Sequence, residues 1–235
     1  MNSASGFVLF GSSHVTVLLV VTGVSFAVWP LSQQVLRKGW VKPVAWTLAL
    51  LTLIELMVKT IGYSAYGVPW QRLLPLQICD VNAVLCAIML IMRSFGIYQV
   101  AYFWAMAGST AALLTPDLQY DFPHPIFAFF FVGHALSIFG VLYATFVFGF
   151  RPRLSSVGIA LLVTGIYGCV IMAMNYILGT NFLYLRAKPT ASSVLDYMGP
   201  WPWYVMGLVL LCAVACLLVY VPFPIFKKIR THSTH

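Results

Sequence analysis

The sequence predicts an all-α integral membrane protein, a single domain that forms a bundle of seven transmembrane helices. Apolar residues make up 61% of the 235 residues and charged residues only 8%, whereas soluble domains carry about 25% charged residues. The apolar residues fall into runs of about 20, the length that crosses a bilayer as a helix. The basic residues lie almost entirely in the connections between these runs. Together these observations predict a multi-pass chain.

Seven apolar runs define the predicted spans. We expect a helix in each, because a segment in lipid must satisfy its own backbone hydrogen bonds and the runs lack the alternation of barrel strands. The spans are predicted near His14–Leu31, Pro43–Gly67, Leu73–Met92, Ile97–Thr115, Pro125–Phe150, Leu154–Gly179 and Trp201–Val221. No basic segment precedes the first run, which we therefore expect to be a retained span and not a cleaved signal peptide.

The distribution of charge predicts the orientation of the bundle. With the N-terminus outside and the C-terminus in the cytoplasm, the outer connections contain only Arg72, Arg186 and Lys188, and Lys59 lies within a span. The other Lys and Arg residues then lie inside, namely Arg37, Lys38, Lys42, Arg93, Arg151, Arg153, Lys227, Lys228 and Arg230. This bias follows the positive-inside rule. The net charge of +8 is thus explained by topology, and we expect no nucleic-acid partner.

The longest predicted outer connection, residues 180–200, is expected to fold as a lid over the bundle. It is rich in aromatic residues, and Ser193–Asp196 has the pattern of a helix-capping box. The five cysteines all lie inside apolar runs without a CxxC pair, so the sequence predicts neither a disulfide framework nor a metal site. It also has no nucleotide or haem motif, and we expect no cofactor.

Polar residues inside the predicted spans are the candidate functional groups, because ionisable side chains in lipid are costly. Glu55 and Lys59 are four residues apart, so they share a helical face and are placed to form an ion pair. Asn175 is expected to hydrogen-bond across helices. Each also has a purely structural interpretation, as a clamp between helices. Asp80 lies near the predicted outer interface, where water would reach it.

Cys79 and His134 are the candidate reactive pair. Both lie on spans predicted to run inward, at depths of roughly 9 Å and 13.5 Å by helical rise, so they are at a similar level. Cys79 and Asn82 share a face, whereas Asp80 points about 100° away from Cys79. A histidine beside a cysteine promotes the thiolate, which is the nucleophilic form. The alternative is that both residues are ordinary core residues.

Several strings then match a known family. They are residues 73–79 (LLPLQIC), 112–118 (ALLTPDL), 133–134 (GH), 175–181 (NYILGTN), 188–189 (KP) and 199–204 (GPWPWY). The sequence resembles the YwaF-like bacterial membrane family, which is similar to eukaryotic transmembrane protein 164. The resemblance implies a multi-pass protein of the cell membrane and a phospholipid acyltransferase with Cys79 and His134 as its reactive residues. The common bacterial pattern has a histidine two residues before the cysteine, where this chain has Gln77.

Three functions remain open from the sequence. The first is acyl transfer on membrane lipids, with Cys79 as nucleophile, His134 as base, and Lys59, Asn82 and Asn175 as candidate oxyanion donors. The second is a transporter or channel whose path contains Glu55, Lys59 and Asp80. The third is a non-catalytic lipid-binding or scaffold protein with a structural polar core. A direct Cys79–His134 contact would favour the first.

Overall fold

The computed structural model describes residues 6–189 and 194–225, and these residues are almost entirely helical. The α-helices are α1 (Ser12–Arg37), α2 (Val41–Ala65), α3 (Trp70–Leu73), α4 (Ile78–Met92), α5 (Phe95–Phe103), α6 (Thr110–Leu114), α7 (Pro125–Phe146), α8 (Leu154–Leu178) and α9 (Trp203–Tyr220). A π-helical segment occupies Trp104–Ser109, and 3-10 turns occupy Phe182–Tyr184 and Val194–Met198. The all-α prediction is confirmed.

Six segments of the described chain are long and apolar enough to cross a membrane. They are Ser12–Arg37, Val41–Ala65, Trp70–Met92, Pro125–Phe146, Leu154–Leu178 and Trp203–Ile225. The protein is therefore an integral, multi-pass membrane protein. These six segments correspond to six of the seven predicted spans. The basic residues Lys227, Lys228 and Arg230, which supported the predicted orientation, lie outside the described residues.

The predicted fourth span differs from the others because it is built from three consecutive pieces. Helix α5, the π-helical segment and α6 follow one another from Phe95 to Leu114, and no single piece is long enough to cross a membrane. Placed end to end they would rise about 30 Å, so a seventh crossing stays a prediction. Trp104 opens the π-helical segment and donates from Nε1 to Thr164 Oγ1 of α8 at 2.8 Å.

Helices α2, α4 and α7 pack against one another at the centre of the bundle. Small side chains make this close packing possible, including Ala45, Ala49, Ala87 and Ala144, each at most 1% exposed. The other long helices present large apolar side chains outward. Leu19 of α1, Leu162 of α8 and Leu210 of α9 are 64–68% exposed, which is the surface expected to face lipid.

Long-range hydrogen bonds bring several helix ends together at one end of the bundle, which we name the predicted outer end. His14 at the start of α1 bonds through Nε2 to the carbonyl of Leu113 at 2.8 Å. The Tyr184 hydroxyl donates to Asp117 Oδ2 at 2.7 Å, and the Leu183 amide donates to Gln77 Oε1 at 3.3 Å. The start of α1 therefore meets the end of α6. The start of α4 meets the segment that follows α8, and that segment also contacts the one that follows α6.

Candidate functional site

A buried ion pair between Lys59 of α2 and Asp80 of α4 forms the centre of the candidate site. The side chain of Lys59 is 17% exposed and that of Asp80 is 11% exposed. The sequence predicted Glu55 as the partner of Lys59 and a hydrated position for Asp80, and both predictions are wrong. Because α2 packs closely on α4, the face of α4 that carries Asp80 is turned toward Lys59 and away from water.

Glu55 lies instead against Gly133 of α7. A Cβ atom at position 133 would be only 2.8 Å from Glu55 Oε2, so the absence of a side chain there allows the carboxylate to approach α7. Its Oε1 atom is buried without a hydrogen-bond partner. The carboxylate is still within electrostatic range of Lys59 and Asp80. Glu55 thus belongs to the same cluster without forming the expected ion pair with Lys59.

Cys79 lies in the first turn of α4, next to Asp80. Its side chain is partly exposed, and Sγ is 3.8 Å from Asp80 Oδ1. The thiol hydrogen points toward a carboxylate that is itself paired with Lys59. The carboxylate accepts from the thiol but cannot accept from a thiolate, so a nearby base would have to take the proton before the sulfur could act as a nucleophile.

His134 on α7 is held in one orientation by the backbone of its own helix. Its Nδ1 lies 2.7 Å from the carbonyl oxygen of Phe130, and the ring packs on the Phe130 ring at a centroid distance of 4.3 Å. Because a carbonyl oxygen only accepts hydrogen bonds, Nδ1 must carry the hydrogen. The lone pair is then on Nε2, which is the arrangement that a histidine base requires.

Cys79 and His134 do not hydrogen-bond each other within the part of the chain that the structure describes. The thiol bonds to Asp80 and the ring to Phe130. Both residues are nevertheless within electrostatic range of Lys59 and Asp80. Cys79 contacts the ion pair through Asp80, whereas His134 directly follows Gly133, against which Glu55 lies.

Two polar side chains near these helices are buried without any partner. Asn82 is fully buried, and neither Oδ1 nor Nδ2 has a hydrogen bond. Ser109, in the π-helical segment, is 2% exposed and its hydroxyl is also unpaired. Buried polar atoms are normally bonded, so these groups are available to a polar ligand. The sequence analysis missed Ser109, because a helical serine or threonine usually bonds to the carbonyl four residues earlier, as Thr164 does.

Asn175 has a different role from the one predicted. It is fully buried, and its Oδ1 accepts from the Phe182 amide at 2.7 Å and from Thr180 Oγ1 at 2.9 Å. Its Nδ2 donates to the Phe182 carbonyl at 3.0 Å. The expected bond across helices is not formed, because the chain turns back sharply after α8 and brings its own backbone within reach. Asn175 fixes this turn.

The segment held by Asn175 covers the start of α4. Besides the bond from Leu183 to Gln77, the carbonyl of Tyr184 accepts from the Tyr204 hydroxyl at 2.8 Å. Leu183 and Tyr184 have φ values of 59° and 54°, a left-handed conformation that costs energy for residues other than glycine. Burial raises the pKa of Tyr184, and Asp117 and Cys79 add to this shift.

The bond from Leu183 to Gln77, two residues before Cys79, places this segment, residues 180–188, beside the part of the chain that carries the candidate thiol. We call it the lid. The rest of the predicted lid contains the 3-10 turn Val194–Met198, and Ser193 of the predicted capping box lies outside the described residues. Within residues 6–189 and 194–225, no group of three or more His, Cys, Asp or Glu side chains is placed to hold a metal ion.

These features define a class of protein: a polytopic α-helical membrane protein whose central helices enclose an ion pair and unpaired polar groups beneath a folded segment. The model of the TMEM164 family matches residues 9–220, which is nearly the whole chain. The protein therefore belongs to the TMEM164 family, and the predicted similarity to transmembrane protein 164 is confirmed. No curated protein and no solved structure matches the chain.

Proposed function

We propose that this protein is a membrane-embedded enzyme that transfers acyl chains between phospholipids. The observation that carries the proposal is the position of Cys79 and His134 on packed helices around one polar cluster. Cys79 contacts Asp80 of the ion pair, and His134 directly follows Gly133, against which Glu55 lies. The partly exposed thiol, the free Nε2 of His134 and the unpaired amide of Asn82 supply a nucleophile, a base and a hydrogen-bond donor. The proposed location is the cell membrane, as in the bacterial branch that the sequence resembles.

In the first step, the proton of the Cys79 thiol passes to His134 Nε2, directly or through one water molecule. The thiolate sulfur attacks the ester carbonyl carbon of a phospholipid and forms the new S–C bond. The ester C–O bond then breaks, and the leaving alcohol takes the proton back from His134. The products of this step are a thioester on Cys79 and a lysophospholipid.

In the second step, a hydroxyl group of another lysophospholipid attacks the thioester. His134 takes the hydroxyl proton, the new ester bond forms, and the Cys79 sulfur leaves and is reprotonated. Water in place of the lipid hydroxyl gives hydrolysis by the same route. The substrate is hydrophobic and is proposed to reach the site sideways from the leaflet at the predicted outer end.

Lys59, Asn82, Asp80 and Glu55 have supporting roles in this proposal. Negative charge develops on sulfur and then on the carbonyl oxygen, and the Lys59 ammonium group is held near this region by its pairing with Asp80, the neighbour of Cys79. The Asn82 Nδ2 atom, one helical turn after Cys79 and unpaired, is the candidate oxyanion donor. Asp80 holds Lys59 in place, and Glu55 fixes the α2–α7 contact. Asn175 positions the lid.

The test is incubation of the purified protein with phospholipid labelled in one acyl chain and an unlabelled lysophospholipid acceptor. Wild type is compared with Cys79→Ala, His134→Gln and the matched control Cys169→Ala, which removes an exposed cysteine of α8. We expect transfer in wild type and Cys169→Ala, and a loss of at least 100-fold in the other two variants, as for removal of a nucleophile or base. Equal turnover in all four proteins would refute the mechanism.

Transport is a second candidate, because the unpaired atoms of Glu55, Asn82 and Ser109 would suit a path for water or ions. It predicts that liposomes containing the protein take up a polar solute or protons, and that Glu55→Gln changes this uptake while Cys79→Ala does not. A protein that neither transfers acyl chains nor transports would leave the scaffold function, in which the bond from His134 to Phe130 is purely structural.

A further inference from the structure

An apolar groove lies on the outer surface of the bundle between α2 and α4, at the end opposite the candidate site. Its volume is about 350 Å³, and it is lined by Trp46, Thr47, Leu50, Leu53 and Ile91. The residues that line it are almost all apolar, as contact with a hydrocarbon chain requires. Trp46, Leu50 and Ile91 are 60%, 58% and 49% exposed, so the groove opens toward the membrane.

Two basic side chains flank one end of this groove. Lys42 is exposed and lies four residues before Trp46, so it shares the face of α2 that also carries Leu50 and Leu53. Arg93 is exposed and directly follows the end of α4, two residues after Ile91. The groove is thus apolar along its length and positively charged at its mouth.

A chain of contacts ties Arg93 to the start of α2. The Arg93 guanidinium lies over the Phe148 ring at 5.2 Å, and Phe148 packs edge-on against Tyr143 at a centroid distance of 5.5 Å. The Tyr143 hydroxyl in turn donates to the carbonyl of Val41 at 2.7 Å, and Val41 is the neighbour of Lys42. Arg93 is therefore held near the beginning of α2, the end of that helix which also carries Lys42.

This end of the bundle has no acidic side chain to balance these charges. The chain contains five acidic residues, of which Glu55 and Asp80 belong to the candidate site. Asp117, Asp121 and Asp196 lie in the connections at the predicted outer end. The cations Lys42 and Arg93 therefore have no acidic side chain of this chain to pair with at this end, and an anion from outside the chain could bind there.

We propose that the α2–α4 groove binds a membrane phospholipid, with an acyl chain along Trp46, Leu50 and Leu53 and the phosphate between Lys42 and Arg93. Basic residues at the membrane surface bind anionic headgroups, and arginine matches the geometry of a phosphate group. A free phosphate would use the two cations but not the apolar groove. The site lies at the opposite end of α2 from Lys59, so it is separate from the proposed acyl-transfer site and does not depend on that function.

Native mass spectrometry of the detergent-purified protein tests this site, with ether-linked phosphatidylglycerol as the probe because it has no ester that Cys79 could attack. Ether-linked phosphatidylcholine and inorganic phosphate are the comparison ligands. We expect wild type to retain phosphatidylglycerol most tightly and phosphate not measurably. At about 1 kcal/mol for each basic residue, Lys42→Gln/Arg93→Asn should weaken phosphatidylglycerol binding about 10–30-fold. Asparagine is chosen because residue 93 has a positive φ of 51°, which asparagine tolerates.

Matched variants distinguish an effect at the groove from the general effect of removing a charge or adding a bulky side chain. Lys38→Gln removes an exposed positive charge from the same end of the bundle and should leave binding within about twofold of wild type. Leu50→Trp fills the groove and should displace both lipids, whereas Leu210→Trp, at a site 66% exposed on α9, should not. The inference is overturned if the double variant binds phosphatidylglycerol like Lys38→Gln, or if Leu50→Trp binds like Leu210→Trp. It is also overturned if phosphate binds as tightly as the lipid.

Discussion

Replacement of Lys59 by methionine tests whether the buried ion pair organises the centre of the bundle. Methionine keeps most of the side-chain volume but leaves the Asp80 carboxylate, only 11% exposed as a side chain, without its countercharge. Removal of one partner of a buried pair costs about 3–5 kcal/mol. Because Lys59 is 17% exposed and the pair is therefore not fully buried, we expect the lower end of that range, about 3 kcal/mol, which lowers the folding equilibrium constant by roughly 100-fold.

The double variant Lys59→Met/Asp80→Leu gives this prediction its sharpest test. Replacing both charges by apolar groups is often close to neutral, so it should recover most of the stability that the single variant loses. Thermal and denaturant unfolding in detergent micelles provide the measurement, with Arg72→Met, an exposed position in α3, as the control. The prediction is wrong if Lys59→Met has the same free energy of unfolding as Arg72→Met, or if the double variant is less stable than Lys59→Met.

Three further predictions concern the surroundings of the pair. Gly133→Ala forces Glu55 away from α7 and should cost about 1–3 kcal/mol of unfolding free energy, whereas Gly165→Ala, where a Cβ meets open space, should be neutral or slightly stabilising by thermal unfolding. Asn175→Ala removes the buried Oδ1 atom that accepts hydrogen bonds from the turn after α8. Limited proteolysis should therefore cleave the lid faster than in wild type. Tyr184→Phe loses the bond to Asp117, and maleimide labelling of Cys79 should accelerate as the lid opens more often; unchanged labelling would show that the lid does not control access.

The sequence predicts the long helices well because a single physical requirement determines them. A segment that crosses lipid must be apolar for about 20 residues, and α1, α2, α7, α8 and α9 each lie within or close to a predicted span. The ends of the helices were predicted less accurately. The fifth span was predicted to reach Phe150, but α7 ends at Phe146. The interruption at Trp104–Ser109 had no signal, since hydropathy does not distinguish π-helical from α-helical hydrogen bonding.

The sequence predicted which residues belong to the site better than it predicted which of them form ion pairs or hydrogen bonds with one another. Helical spacing reports which residues share a face, so Glu55 was the natural partner for Lys59. The choice of Asp80 depends on how α2 is rotated against α4, which only the packing of the two helices determines. Asn175 shows the same limit, since its partners Thr180 and Phe182 are reached by a backbone turn that hydropathy cannot predict.

The position of α2 determines how far the polar cluster lies from the surface expected to face lipid. Thr52, Glu55 and Lys59 repeat at helical spacing and face α4 and α7, with Thr52 only 1% exposed. On the opposite side, Met57 and Ile61 are 62% and 65% exposed and face the region where lipid is expected. The cluster is thus separated from the membrane by the thickness of one helix, about 10 Å. In the proposed acyl transfer, a lipid that passes beside α2 would have to cross only this short distance to reach the cluster.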